Sequence, residues 1–214
     1  MINGLKGIIF DLDGVICSTD LYHFQAWKEM AAGLGITVDE SVNDRLKGVS
    51  RLDSLNIVLS YGEKEYTDTE KEVLMEQKNN RYRELLNNMT PEDLTDEVRN
   101  TLQKLRDGGL KLAIGSSSKN AKFILERIGL ADFFDAVSDG TNIQRSKPDP
   151  QVFLMAADML QLLPVDCLVV EDAQAGIDAA AAGGFHSAGM GSAKEYGKTD
   201  YPLETFGDLK KICL

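Results

Sequence analysis

Asp11 and Asp13 stand two positions apart in the stretch FDLDG, where the apolar run Gly7–Phe10 gives way to polar residues. Aspartate is depleted in strands, so a pair at the end of one calls for a reason. One reason is a turn, because Asp13-Gly14 is an ordinary turn pair. The other is chemistry. In an extended chain a spacing of two returns both side chains to the same face. One carboxylate could then take a phosphoryl group while its neighbour moves a proton.

Three further pieces close apolar runs downstream: Ser116 in GSSSKN, Lys147 in SKPDP, and Glu171 with Asp172 in VVED. If these runs are strands of one parallel sheet, their carboxyl ends meet along one edge. Four carboxylates gathered there repel one another unless a cation joins them, and hard oxygen ligands suit Mg²⁺. Lys147 and a serine hydroxyl beside such a cluster would neutralise and hydrogen-bond the oxygens of a transferring phosphoryl group.

The elements that must position these residues alternate. Strand-like runs recur as GIIFDL, LKLAIGS, AVSD, CLVVED and FHSAGM, and the later ones are separated by NAKFILERIGL, PQVFLMAADMLQLL and AQAGIDAAAAGG, with apolar residues at helical spacing. That order predicts βαβ units and a Rossmann-like parallel sheet covered by helices, an α/β fold. Residues 18–89 break the alternation with amphipathic stretches and no convincing strand. They read as a small α-helical cap domain inserted into a core of residues 1–17 and 90–214. The insertion begins where an open α/β sheet places its ligand crevice, so the cap is expected over the site. The Gly-rich GMGSAKEYG reads as a surface loop and His186 as a core residue.

Bulk properties exclude several classes. With 214 residues the chain can bury a sizeable core. The net charge of −11 carries no basic block that would favour nucleic acid or a membrane surface. Cys17, Cys167 and Cys213 are scattered and odd in number, which argues against a disulfide framework or zinc site and suits a reducing cytoplasm. No run approaches the roughly 20 apolar residues needed to span a bilayer, and no signal-peptide layout is present. A soluble, unprocessed, cytoplasmic protein is expected.

In order, DLDG, the GSSS strand end, the SKPDP lysine and VVED resemble the motifs of the haloacid dehalogenase (HAD) superfamily of phosphoryl-transfer enzymes. YHFQAWK, LKGVSR, the Lys78-containing QKNNRY and SSSKN resemble its sugar-phosphate mutases. The resemblance implies a monomeric enzyme of carbohydrate metabolism that interconverts β-D-glucose 1-phosphate and glucose 6-phosphate through an aspartyl phosphate and a β-glucose 1,6-bisphosphate. It implies nucleophile Asp11 and acid/base Asp13, with Mg²⁺ held by Asp11, the Asp13 carbonyl, Glu171 and Asp172. Ser116, Ser117 and Lys147 would hold the transferring phosphate, and Arg51, Ser118, Lys119 and Asn120 the other one. Gly48, Val49, Ser50, His23, Trp27 and Lys78 would complete the substrate site from the cap, with Thr19 at the hinge. Cys17-Ser18 departs from the family, in which many members carry Asp before the threonine.

Plainer readings stand beside the cap assignments. Arg51 follows Ser50 at an apparent helix start, where a capped turn with a solvated arginine is ordinary. Lys78 on a helix face is ordinarily solvated, His23 could pack beside Tyr22 and Phe24, and Trp27 could be core or sugar platform. A small-molecule phosphatase would share every core residue. A receiver module would also phosphorylate an aspartate near Mg²⁺, but at about half this length and without the insertion.

Overall fold

The computed structural model describes residues 2, 4–46 and 50–214. The chain divides into two compact units, Met1–Ser18 with Met89–Leu214, and Thr19–Asn88. These boundaries fall one residue from those read in the sequence.

The first unit is built on six strands: β1 (Gly7–Phe10), β2 (Lys111–Gly115), β3 (Ala136–Ser138), β4 (Cys167–Glu171), β5 (His186–Gly189) and β6 (Tyr201–Pro202). They pair in the order β3-β2-β1-β4-β5-β6, and every neighbouring pair is parallel. Five of these are the apolar runs. The sequence reading missed β6, a two-residue strand containing a proline, which lacks an N–H and is tolerated at a sheet edge.

Alternation along the strands sorts side chains onto two faces. Ile9, Ala113 and Val169 pack with Val152, Phe153 and Ala156 of α7 (Gln151–Leu160) and with Ala179 and Ala180 of α8 (Gln174–Gly183). On the other face, Phe10 stacks on Phe206, with ring centroids 5.7 Å apart. The turn Phe206–Asp208 packs in turn on α5 (Asp96–Asp107), and α5 also meets the C-terminal helix Leu209–Cys213. Thr95 starts α5, its hydroxyl accepting the Val98 N–H at 3.3 Å. His186, expected in the core, is half-buried on β5 with Tyr201 beside it.

Register decides which residues come level. Phe10 pairs with Ile114 on one side and Val170 on the other, so Asp11 leaves the sheet beside the ends of β2 and β4.

The second unit contains α1 (Asp20–Ala32), α2 (Glu40–Asp44), α3 (Arg51–Leu59) and α4 (Asp68–Leu86), with no strand among its described residues. Trp27, Ala31, Val42, Leu55, Val58 and Leu74 form its own apolar core. A capping box starts α4: Thr67 accepts from the Glu70 N–H while Glu70 accepts from the Thr67 N–H.

Candidate active site

The Asp11 N–H donates to the Val170 carbonyl at 2.9 Å, continuing the β1–β4 ladder one step and fixing the Cα of the proposed nucleophile. Glu171 closes β4. Lys147, from the loop before α7, donates to Asp11 Oδ1 and to Glu171 Oε1, both at 2.5 Å. The other Glu171 oxygen accepts the N–H groups of Asp172 at 3.0 Å and Ala173 at 3.1 Å. Asp11 is 9% exposed and Glu171 1%.

Charge is unbalanced here. Asp11, Glu171 and Asp172 each offer a carboxylate oxygen, all within 4.8 Å of one another. Burial pushes the Asp172 carboxyl up from 3.8 to about 7, reinforced by repulsion from Glu171, Asp11 and Asp13. Burial also raises Glu171, against the pull of Lys147. Burial would lower the Lys147 ammonium, but Asp11 and Glu171 outweigh it and the net shift is upward. Three carboxylates beside one ammonium leave negative charge that a hard divalent cation would neutralise, so the donor set fits Mg²⁺.

Two glycines give the carboxylates their space. A Cβ on Gly14, which has φ +82°, would lie 2.2 Å from Asp172 Oδ2, and one on Gly176 would lie 1.9 Å from Glu171 Cδ. Gly14 is legible in the sequence as the turn glycine after Asp13. Gly176 is not, because nothing local shows that α8 passes the Glu171 carboxylate.

The loop after β2 is held from within and from β3. Ser116 donates its N–H to the Ser138 carbonyl at 3.0 Å. Its hydroxyl accepts the Ser118 N–H, and the Ser118 hydroxyl accepts the Asn120 N–H, both at 3.2 Å. Ser116 and Asn120 are buried, while Ser117 and Lys119 are exposed. These two, with Gly140, Thr141, Gln144 and Ser146, line a polar cleft of about 480 Å³, within the size range of small-ligand sites. The turn behind it, SDGTN, was not singled out in the sequence. Buried Asp139 accepts from the Thr141 N–H at 2.8 Å and the Thr141 hydroxyl at 2.5 Å. The Gly-rich segment after β5 reaches back to the cluster: Ser192 Oγ and the Ala193 N–H donate to the Asp172 carbonyl at 2.8 and 2.9 Å.

Cys17 is buried, and burial, then Asp13 and Asp11, push its thiol up. It stays protonated and is a poor nucleophile.

Within the helical unit, Gly48 and Val49 lie outside the described residues. Ser50 caps α3, its hydroxyl accepting the Asp53 N–H at 3.1 Å. Arg51, the first residue of α3, is exposed and donates to Asn79 Oδ1 at 3.2 Å. Lys78 is not a solvated lysine. It is 4% exposed, with its ammonium 4.8 Å from the ring centroids of both Trp27 and Tyr82 and 2.7 Å from His23 Nδ1. His23 stacks on Tyr82 at 4.0 Å, and the Tyr82 hydroxyl donates to Thr19 Oγ1 at 2.9 Å. Burial, then Lys78 and Arg51, hold the His23 imidazole well below its ordinary value. A neutral ring accepting from Lys78 at Nδ1 carries its proton on Nε2. Trp27 is a core residue whose face also contacts a cation.

Residues 5–184 match the model of the haloacid dehalogenase-like hydrolase family. Over 207 residues, covering 96% of this chain and 92% of the other, the sequence is 42% identical to a β-phosphoglucomutase of Bacillus subtilis. It is 32% identical to a fructose-1-phosphate phosphatase of Escherichia coli, over 84% of this chain and 93% of that one. A crystal structure of β-phosphoglucomutase from Clostridium difficile superposes with a TM-score of 0.87 at 36% identity, covering 97% of this chain and 95% of that one.

Proposed function

The chain belongs to the haloacid dehalogenase-like hydrolase family, and we propose that it is a β-phosphoglucomutase, interconverting β-D-glucose 1-phosphate and glucose 6-phosphate. The observation that carries phosphoryl transfer is the Lys147 ammonium bridging Asp11 and Glu171 at the carboxyl edge of the sheet. Likeness to the Bacillus subtilis enzyme over nearly the whole chain favours the mutase.

Asp11 takes the phosphoryl group through one carboxylate oxygen, splitting one displacement into two. Asp13 gives a proton to the departing sugar oxygen and takes one from the hydroxyl that attacks phospho-Asp11. Lys147 holds Asp11 in place and donates to the phosphoryl oxygens, with Ser116 and Ser117 adding hydrogen bonds. Asp11, the Asp13 carbonyl, Glu171 and Asp172 would hold Mg²⁺, which supplies charge neutralisation to the transferring group when bound. The intermediate, β-glucose 1,6-bisphosphate, presents each phosphate to Asp11 in turn. The phosphate not reacting is assigned to Arg51, Ser118, Lys119 and Asn120. His23, Lys78 and Ser50 are assigned to the sugar, together with Gly48 and Val49.

The alternative is a sugar-phosphate phosphatase, favoured by the likeness to the Escherichia coli phosphatase, and it would use the same Asp11, Asp13 and Lys147. Product analysis separates the two. With β-glucose 1-phosphate, a trace of glucose 1,6-bisphosphate and Mg²⁺, the mutase accumulates glucose 6-phosphate. Inorganic phosphate in its place would make the protein a phosphatase.

A further inference from the structure

The Glu171 carboxylate is held on three sides. Lys147 donates to one oxygen at 2.5 Å, and the Asp172 and Ala173 N–H groups donate to the other at 3.0 and 3.1 Å. On the third side runs the first turn of α8, where a Cβ on Gly176 would lie 1.9 Å from Cδ of Glu171, 2.0 Å from Oε1 and 2.4 Å from Cγ. Only a hydrogen fits there. A flexible surface glutamate would swing away from such a Cβ, but this one is 1% exposed and hydrogen-bonded through both oxygens.

We infer that Gly176 is a positioning residue for phosphoryl transfer, its bare Cα letting the Glu171 carboxylate lie where it orients Lys147 and joins Asp11 and Asp172 around a divalent cation. The inference rests on the phosphoryl-transfer reading above. Helix propensity argues the other way, which makes it testable. Gly176 is helical and outside the positive-φ glycines, and alanine is the better helix former, so without the Glu171 contact Gly176→Ala would be neutral or stabilising. Gly14 approaches Asp172 almost as closely, but at φ +82° its substitution would mix backbone strain with the contact. Gly176 isolates the contact alone.

The test uses the full chain and two readouts: Mg²⁺ affinity by titration with the metal alone, and phosphorylation of Asp11 by acetyl phosphate. Gly176→Ala is expected to weaken Mg²⁺ binding and slow phosphorylation by about 10–100-fold each, with the circular dichroism spectrum retained. Glu171→Asp withdraws the carboxylate by one methylene. The double variant Gly176→Ala/Glu171→Asp is therefore expected to lose less than the product of the two single losses. Wild-type Mg²⁺ affinity in Gly176→Ala, or losses that simply multiply, would overturn the inference. If Gly176→Ala alone fails to fold, recovery of the fold in the double variant supports the contact and its absence overturns it. Neither readout depends on whether the wild type makes glucose 6-phosphate or inorganic phosphate. Failure of the mutase reading would thus leave this comparison standing, whereas a wild type that bound no Mg²⁺ and accepted no phosphoryl group would remove its premise.

Discussion

The polar cluster at the sheet edge and the one in the helical unit are built on opposite principles. At the sheet edge, strand ends bring carboxylates together, and burial, reinforced by their mutual repulsion, raises the Asp172 carboxyl. In the helical unit a buried lysine lies against two aromatic faces and a histidine kept neutral by burial, Lys78 and Arg51. The first field suits a cation and the second an anion or a sugar hydroxyl.

The largest expected effect breaks the first cluster. Asp11→Asn should lower phosphoryl transfer by at least about 10⁴-fold, the scale of losing a nucleophile. Intact mass after incubation with acetyl phosphate should show no added phosphoryl group in this variant. Asp13→Asn should cut mutase turnover by about 10²–10⁴-fold while bisphosphate binding, read by equilibrium titration, largely survives. Parallel loss of binding would make Asp13 a metal-site or structural residue.

Arg51→Ala tests the second cluster. A charge-assisted phosphate contact is worth on the order of 2–5 kcal/mol, so mutase kcat/KM should fall by at least roughly 30-fold. Phosphorylation of Asp11 by acetyl phosphate, which has no second phosphate, should change far less. No loss in either reaction would leave Arg51 an ordinary helix-start arginine and return weight to the phosphatase.

The pH dependence has opposite signs in the two clusters. Asp172 has a folded value raised from 3.8 to about 7, so its contribution to stability is present at low pH and is lost as pH rises through about 7. Mg²⁺ must displace that proton, and its stabilisation, about 2.7 kcal/mol at a hundredfold excess over Kd, should be fuller at about pH 8 than at about pH 5.5. His23 is depressed below 6.5, so its contribution is present above that value and is lost as pH falls below it. Thermal melts with and without Mg²⁺ across this range check both signs. The smallest effect is Tyr82→Phe, which deletes the hydroxyl bonded to Thr19 and should cost about 1 kcal/mol of stability by denaturant unfolding.

Legibility in the sequence followed the same division. Apolar runs ending in polar residues revealed β1 to β5, and with them the strand ends that carry Asp11, Ser116, Glu171 and Asp172, because parallel strands converge by topology alone. Lys147, read as closing an apolar run like the other three pieces, stands instead in the loop between β3 and α7 and reaches the edge from there. Lys78 was legible only through the resemblance, its plainer reading as a solvated helix lysine failing because the slot between Trp27 and Tyr82 joins two helices distant in sequence. Gly176 is illegible for a different reason: its partner Glu171 is only five residues away, but nothing in the sequence shows that the helix folds back against that carboxylate, and a glycine early in a helix announces nothing by itself. α5 is strongly amphipathic, and Thr95 with the stripe Val98, Leu102 and Leu105 marks it in the sequence although it carries no chemistry of its own.

The central claim is that this chain passes a phosphoryl group through Asp11 from one sugar position to another. It is tested most directly with β-glucose 1-phosphate labelled in its phosphorus and enzyme already phosphorylated from unlabelled glucose 1,6-bisphosphate, quenched after one turnover. The account predicts unlabelled glucose 6-phosphate in the first turnover and the label on Asp11 or in the bisphosphate. Label in inorganic phosphate, or in the first glucose 6-phosphate formed, would contradict it.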